Sequence, residues 1–136
     1  MSENRVAIVT GASRGIGRAI AEALGRGGAT VVGTATTDKG ADAIGEHLES
    51  AGISGRGMRL DVTDADSVET VVKTVSAEIG VPTILVNNAG ITRDNLLMRM
   101  KDDEWQSILD TNLTSVYRMS KACLRGMMKA RFGRIV

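Results

Sequence analysis

Tyr117 and Lys121 are a pair of residues whose types and spacing could support chemistry. They lie four positions apart in the stretch YRMSK, which places both side chains on one face of a helix. A nearby ammonium group lowers the pKa of a phenol from its usual value of about 10. A phenol altered in this way can donate or accept a proton at neutral pH. Whether the pair is catalytic depends on the elements that position it.

Short apolar segments alternate with segments of helical periodicity along the chain. Predicted strands cover residues 5–10, 29–36, 57–62, 83–90 and 133–136, and predicted helices cover 16–28, 39–52, 63–80 and one or two stretches within 101–131. Apolar strands that alternate with helices indicate a parallel sheet covered on both faces. With right-handed crossovers this is an α/β, doubly wound fold of the Rossmann type. The sequence ends three or four residues into strand five, so we expect residues 1–136 to be the N-terminal portion of one domain, truncated there.

Composition argues against several classes of protein. The 136 residues are 43% hydrophobic, which suits one globular domain, and the net charge of +1 creates no global attraction to nucleic acid. The single cysteine, Cys123, cannot form an internal disulfide and fits a reducing compartment. No long apolar run resembles a signal peptide or a membrane span. We therefore expect a cytoplasmic protein that binds neither nucleic acid nor membranes, and no metal site is predicted.

The segment TGASRGIG between the first strand and the first helix is typical of a dinucleotide-binding loop. Gly11 permits a sharp turn off the strand, Gly15 lets the backbone approach a pyrophosphate, and Gly17 lets the helix lie close to the sheet. Amides at the helix N-terminus then face the phosphates. The alternative is a glycine-rich turn without a ligand, but the strand-to-helix context favours binding. The predicted contacts are Gly11, Ala12, Ser13, Arg14, Gly15, Ile16 and Gly17.

The end of the second strand bears on the choice between NAD and NADP. An NAD site usually has an acidic residue there, which hydrogen-bonds the ribose 2′-hydroxyl. This sequence has GTATT, with no carboxylate before Asp38. Arg14 and the hydroxyl of Thr36 suit a 2′-phosphate instead, so the pattern favours NADP, although Arg14 could also be a solvated surface residue.

Polar residues also follow the third and fourth strands, where ligands bind in open parallel sheets. Asp61 could accept a hydrogen bond from an adenine amino group, while the backbone of Val62 reads the edge of the ring. The segment NNAG forms a small polar turn close to a ribose, with contacts predicted from Asn88, Ala89 and Gly90. Simple turn chemistry is the alternative for this segment.

Together these motifs resemble the short-chain dehydrogenase/reductase family. The resemblance is carried in order by Thr10-Gly-x-x-x-Gly-x-Gly, Asp61-Val62, NNAG, and TNL with Asn112. Within the family, NNAGITRDNLLMRMKDDEW is similar to the ketoreductases of fatty-acid synthesis, which act on 3-oxoacyl groups carried by acyl carrier protein. Acetoacetyl-coenzyme A reductases have a similar NNAGITRD segment, so that alternative stays open. The resemblance implies NADPH as cofactor, a homotetramer, and reduction of a 3-oxoacyl thioester to its 3-hydroxy form.

The resemblance also implies a catalytic set of Ser, Tyr-x-x-x-Lys and Asn, of which only the Asn position, Asn112, lies within this sequence. We therefore expect the 136-residue chain to be inactive alone, and as such a non-catalytic nucleotide-binding module. The alternative is another doubly wound enzyme, such as a methyltransferase. That interpretation gives no role to the adjacent residues Asn87 and Asn88, to Asn112 or to Arg14.

If Asn112 faces the site, as the resemblance implies, helix geometry argues against Tyr117 and Lys121 as substitutes for the missing pair; a kink after Asn112 would alter the angles but not the order along the chain. At about 100° per residue, they lie roughly 140° and 180° around the helix from Asn112. They also precede strand five, whereas the family pair follows it. The predicted sheet-facing residues of this helix are Leu113, Val116, Ser120, Cys123 and Met127, and the wider apolar stripe formed by Tyr117, Leu124 and Met128 predicts a partner helix.

From Thr111 onward the sequence contains six basic residues and no acidic one. A helix C-terminus favours cations, which explains part of this bias. The functional interpretation is a docking patch for acyl carrier protein, predicted at Arg125, Lys129, Arg131 and Arg134. Two single residues are also assigned. His47 is assigned to the protein surface. Trp105 is assigned to packing against the first turn of the long helix, with a position at the mouth of the substrate site as the alternative.

Overall fold

Strands and helices alternate in the computed structural model, which describes residues 5–89 and 99–136. In chain order the elements are β1 (Val6–Val9), α1 (Gly15–Arg26), β2 (Thr30–Ala35), α2 (Asp38–Ser50), β3 (Gly55–Arg59), α3 (Ala65–Glu78), β4 (Pro82–Val86), α4 (Asp102–Ile108), a π-helical turn (Leu109–Thr114), α5 (Ser115–Ala130) and β5 (Arg134–Ile135). Within the described ranges, no helix is both long and apolar enough to cross a bilayer.

The five strands form one parallel sheet in the order β3-β2-β1-β4-β5. β1 lies at the centre of the sheet. The chain adds β2 and β3 on one side of β1 and then β4 and β5 on the other side. This arrangement confirms the predicted doubly wound α/β fold. The carboxyl ends of β1 and β4 therefore lie side by side, at the crevice where such folds bind ligands.

Two apolar layers cover the sheet, one on each face. Alternate residues of β1 contribute to different layers: Val6 and Ile8 join α3 and α5 in one cluster, while Ala7 and Val9 join α1 and α2 in the other. This follows from the two-residue period of a strand. Burial raises the pKa of the Cys123 thiol, in the first layer, to about 11. The thiol therefore stays protonated and inert at neutral pH.

The π-helical turn corrects the predicted face of α5. Cys123 and Met127 do face the sheet, but Leu113 is 65% exposed and Val116 is also exposed, while Ser120 is only partly buried. The buried face instead consists of Ser115, Met119, Cys123 and Met127. The prediction for Leu113 was wrong because a π-helical turn takes an extra residue per turn, which shifts the phase of the residues before α5 relative to an unbroken α-helix. Val116 lies within α5, so the turn does not account for its 37% exposure.

Two single-residue predictions are also corrected. Trp105, in α4, is 53% exposed, so it does not pack into the first turn of the helical region. His47 is partly buried between α1 and α2, where Arg18 Nη2 donates to its Nδ1 at 2.8 Å and Glu22 Oε2 lies 3.5 Å from its Nε2. The polar neighbours of His47 in sequence concealed these contacts with another helix.

Candidate cofactor-binding site

The glycine loop crosses the carboxyl ends of β1 and β2 before α1 begins. Gly11 and Gly15 adopt positive φ angles of 65° and 62°, which glycine tolerates without strain. Between them, the Ala12 amide donates to the carbonyl of Thr34 in β2 at 2.9 Å, and the Ala12 side chain is buried. The loop is therefore fixed to the sheet at its middle, while Ser13, Arg14, Gly15 and Ile16 remain exposed.

Gly17 lies where α1 approaches the sheet most closely. A Cβ atom at this position would lie 2.2 Å from the Gly11 carbonyl oxygen and 2.5 Å from Asn88 Nδ2. Both distances are far below van der Waals contact, so only a residue without a side chain fits. The first turn of α1 is thereby held against the turn that follows β4.

The N-terminus of α1 keeps its amide donors available. Its N-cap residue, Arg14, caps no amide with its side chain, and its first turn contains no acidic residue. By contrast, the Thr37 hydroxyl caps α2 and the Asp64 carboxylate caps α3. Uncapped amides at the positive end of a helix dipole form a favourable site for phosphate groups.

Thr10 ties the turn after β4 to the glycine loop. Its side chain is 1% exposed, and its hydroxyl oxygen accepts hydrogen bonds from the amides of Asn88 at 3.0 Å and Ala89 at 2.9 Å. In return, Asn88 Nδ2 donates to the carbonyl of Gly11 at 3.0 Å. These bonds hold Asn88 and Ala89 beside the loop. Gly90, the last residue of the predicted NNAG contact, lies outside the described residues.

Asp61 and Val62 lie just beyond the carboxyl end of β3. Thr63 donates to Asp61 Oδ1 twice, from its hydroxyl at 2.6 Å and from its amide at 2.9 Å. These two bonds, together with the more distant charges of Arg118 and Arg59, hold the pKa of the Asp61 carboxyl below its ordinary value despite some opposing desolvation. Asp61 is therefore an exposed, ionised hydrogen-bond acceptor at neutral pH, while Val62 is buried beside it.

Arg14 and Thr36 are both exposed at the same edge of the sheet. Within residues 5–89 and 99–136, neither side chain is engaged in a hydrogen bond or an ion pair. The loop borders the start of α2, because a Cβ on Gly40 would lie 4.0 Å from the Ser13 Cβ. A cavity of about 100 Å³ between α1 and α2, lined in part by Ser13 and His47, is too small for a nucleoside, so the candidate site is the open surface over the loop.

Asn112 lies in the π-helical turn and is partly buried. The Ser115 hydroxyl donates a hydrogen bond to the carbonyl oxygen of Thr111, which lies within this turn. Single π-helical turns inside helices occur often at functional sites. This turn places Asn112 on a different helical phase from α5.

Tyr117 and Lys121 do contact each other, but on the outer surface of α5. Lys121 Nζ lies 3.3 Å from the Tyr117 hydroxyl oxygen, and Tyr117 is 62% exposed. The spacing therefore brings the two side chains together as a helix requires, without placing them in an enclosed site.

Two residues of the site area had no predicted role: Thr10 as the acceptor for two amides, and Arg118, which contacts the Val62 carbonyl. The role of Thr10 could have been predicted, because Thr10 is a polar residue at the end of an apolar strand. No pattern in the sequence indicates the contact of Arg118 with Val62, because the two residues are 56 positions apart. Among the described residues, no group of three or more His, Cys, Asp or Glu side chains could hold a metal ion.

Comparison with known proteins gives consistent matches. Residues 5–136 match the family model for short chain dehydrogenase. The 3-oxoacyl-[acyl-carrier-protein] reductase FabG of Vibrio harveyi is 65% identical over 134 residues, which cover 98% of this chain and 54% of that protein. The proteins of the same name from Escherichia coli (strain K12) and Pseudomonas aeruginosa are 60% and 58% identical, with the same coverage.

The chain thus spans about half the length of the curated relatives it matches. The family model, however, covers residues 5–136, which is nearly the whole chain. A match of this extent shows that the chain belongs to the short chain dehydrogenase family, as its motifs predict.

Proposed function

We propose that this chain is the cofactor-binding part of a cytoplasmic, NADPH-dependent reductase that converts 3-oxoacyl-[acyl-carrier-protein] to the 3-hydroxyacyl form. The observation that carries the proposal is the exposed, uncapped N-terminus of α1 beneath a glycine loop, with Arg14 beside it. The relatives' names supply the substrate class. Reduction of acetoacetyl-coenzyme A is the alternative within the family, because those reductases have a similar NNAGITRD segment.

In this proposal each part of the site holds one part of the cofactor. When bound, NADPH supplies the hydride for reduction of the ketone. The α1 amides and the glycine loop bind its pyrophosphate, Arg14 and Thr36 bind the 2′-phosphate, and Asp61 accepts a hydrogen bond from the adenine amino group beside Val62. Asn88, Ala89 and Gly90 border a ribose, and Asn112 contributes to the catalytic end of the site.

The choice of NADPH over NADH rests on charge. A 2′-phosphate adds negative charge that Arg14 can neutralise, whereas an NAD site normally places a carboxylate at the end of β2. β2 ends at Ala35 and is followed by Thr36 and Thr37, so the first carboxylate after the strand, that of Asp38, lies three residues beyond its end. Arg14 also has no carboxylate partner among the described residues that would have to be displaced.

Arg14→Ala is expected to weaken NADPH binding by about 1 kcal/mol or more, the contribution of one charge-assisted hydrogen bond. NADH binding should hardly change, because NADH lacks the 2′-phosphate. The measurement is the dissociation constant of each cofactor, in a chimera in which residues 1–136 are followed by the C-terminal remainder of the Vibrio harveyi relative. Arg26→Ala, at the far end of α1, is the matched control and should affect neither cofactor. Equal losses for both cofactors in Arg14→Ala would contradict the 2′-phosphate assignment.

The proposed docking patch for acyl carrier protein lies at the end of α5. Arg125, Lys129, Arg131 and Arg134 are all exposed, and no described carboxylate lies within ion-pair distance of any of them. Arg131 also has a φ of +58°, the one non-glycine residue with a positive φ among those described. Glycine is preferred at this C-terminal position of a helix. Arginine at this position is strained relative to glycine, and we assign its charge to docking.

Replacing Lys129 and Arg131 with glutamate is expected to raise the Michaelis constant for acyl-carrier-protein substrates, because charges at an interface rim mainly affect encounter. Turnover of a small thioester such as acetoacetyl-N-acetylcysteamine should stay nearly constant. Arg131→Gly separates docking from folding: it relieves strain of about 1 kcal/mol, so stability should not fall, yet carrier-protein kinetics should still worsen. Equal losses on both substrates in the chimera would argue against the patch.

The exposed apolar face of α5 supports association with a second copy of the chain, which is one of the contacts that the homotetramer implied by the resemblance requires. Leu113, Val116, Tyr117, Leu124 and Met128 are large apolar side chains that remain exposed on the π-helical turn and α5. Contiguous apolar surface of this kind usually marks a protein interface. We assign this face to contact with a second copy of the chain, in keeping with the partner helix that the wide apolar stripe predicts.

A further inference from the structure

Arg118 connects two parts of the site that are far apart in sequence. It lies on α5, and its side chain is 24% exposed. Its Nη1 atom lies 3.1 Å from Asp110 Oδ1 in the π-helical turn and 3.4 Å from the carbonyl oxygen of Val62 after β3. Asp110 is two positions before Asn112, and Val62 is next to Asp61. One guanidinium group therefore contacts both the π-helical turn that contains Asn112 and the proposed adenine site.

These contacts are of a kind that can hold two segments of the chain at a fixed distance. A guanidinium group is planar, always charged and able to serve several acceptors at once, so it can fix the distance between two acceptors. Both ends of the ion pair are partly buried, where solvent and salt screen charges less than at the surface. The charge of Arg118 also contributes, after the two Thr63 hydrogen bonds, to the lowered pKa of Asp61.

We propose that Arg118 is a positioning residue that links adenine binding at Asp61 and Val62 to the placement of the Asn112-bearing turn. A ligand that orders the Asp61–Val62 segment then also stabilises the π-helical turn, through the Val62–Arg118–Asp110 contacts. This inference rests on the proposed function, since it needs an adenine group at that position. A purely structural Arg118 would instead stabilise the packing of α5 without transmitting any effect of ligand binding.

Trp105 provides a reporter for the test. It is the single tryptophan of the chain, it is exposed, and it lies in α4, which leads directly into the π-helical turn. The 136-residue chain is titrated with adenosine 2′,5′-bisphosphate, which contains the adenine end of NADPH but no nicotinamide. Binding is measured by calorimetry and the response of the turn by Trp105 fluorescence.

The unaltered chain should bind the bisphosphate with a saturable change in Trp105 emission. Arg118→Met should still bind it, but the change in emission should be lost. Asp110→Asn, which removes one end of the ion pair with little change in shape, should give the same loss. Arg56→Met is the matched control, because Arg56 also forms a 2.8 Å ion pair, with Glu78, outside this network; its emission change should persist.

The possible outcomes separate the two proposals. If the unaltered chain does not bind the bisphosphate, the proposed function fails for this chain, and the linkage fails with it. If it binds but both Arg118→Met and Asp110→Asn keep the full emission change, the linkage alone is wrong. Loss of binding in a folded Arg118→Met protein would also contradict it, since Arg118 would then act only on the adenine site.

Discussion

Gly17→Ala is expected to destabilise the fold by up to about 2 kcal/mol and to remove most NADPH binding. The new Cβ would lie 2.2 Å from the Gly11 carbonyl oxygen and 2.5 Å from Asn88 Nδ2. The carbonyl belongs to the backbone of the loop and cannot rotate away, so α1 must move off the sheet. Overpacking of this kind typically costs about 1–3 kcal/mol, which outweighs the gain of about 1 kcal/mol in helix propensity from alanine. The shift of α1 also moves the amides proposed to bind the pyrophosphate.

Gly45→Ala is the matched control for this prediction. Gly45 also lies inside a helix, α2, but a Cβ there would meet no atom closer than the Gly57 amide nitrogen, at 3.9 Å. The substitution should therefore stabilise the protein by up to about 1 kcal/mol. The free energy of unfolding and the NADPH dissociation constant are measured for both variants in the chimera. If Gly17→Ala were as stable as Gly45→Ala and bound NADPH equally well, the close approach of α1 to the loop would be wrong.

Thr10→Val is expected to destabilise the protein by about 2 to 4 kcal/mol. The substitution keeps the shape of the side chain but removes the oxygen that accepts the amides of Asn88 and Ala89. A fully buried donor left without an acceptor costs about 1–3 kcal/mol. The amides of Asn88 and Ala89 are partly buried, so the loss falls in the lower part of the range for two such donors. Because the freed amides belong to the turn that borders the proposed cofactor site, NADPH affinity should fall as well.

Two further variants isolate the hydroxyl of Thr10 as the cause. Thr10→Ser keeps the acceptor and should recover most of the stability. Thr83→Val makes the same chemical change in β4, where the Thr83 hydroxyl is buried and has no hydrogen-bond partner among the described residues. It should be neutral or stabilising. Urea unfolding of the four proteins provides the comparison, and equal losses in Thr10→Val and Thr83→Val would show that the two amides contribute nothing.

The sheet could be predicted because its signals are local. Apolar runs such as Val6–Val9 and Pro82–Val86 are buried on both faces, and each is followed by a segment of helical periodicity. Handedness of the crossovers then restricts how parallel strands can be ordered. These regularities depend on neighbours in sequence and on general rules, so a single sequence contains them.

The helical region after residue 99 shows why the remainder could not be predicted. An unbroken period of 3.6 residues predicts Leu113 on the buried face of α5, whereas the π-helical turn leaves it exposed. No residue type marks such a turn, since it depends on the tertiary packing of the flanking helices. Contacts of Arg118 with Val62, and of His47 with Arg18, are likewise long-range.

The structure tests the predicted packing of the glycine loop, but it does not test the predicted contacts with a ligand. Gly17 and Ala12 are placed by packing contacts that the structure describes, whereas the roles of Arg14, Thr36 and Asp61 concern a ligand and remain predictions. For Tyr117 and Lys121, the sequence predicts a contact but not its function. Their spacing brings the side chains together, but no local pattern distinguishes a surface pair from a catalytic one.

The most direct test of the account compares NADPH binding in Gly15→Ala and Gly52→Ala. Both glycines have a positive φ, of 62° and 72°, and a Cβ on either would meet no atom within 4 Å. The two substitutions therefore impose a similar backbone strain, of about 1–2 kcal/mol, and should lower stability alike. Only Gly15 faces the space assigned to the pyrophosphate. We expect Gly15→Ala to weaken NADPH binding to the chimera about tenfold or more, equivalent to about 1.4 kcal/mol. Gly52→Ala should bind NADPH as tightly as the unaltered chimera. Equal NADPH affinity in the two variants would contradict the assignment of the glycine loop as the cofactor site.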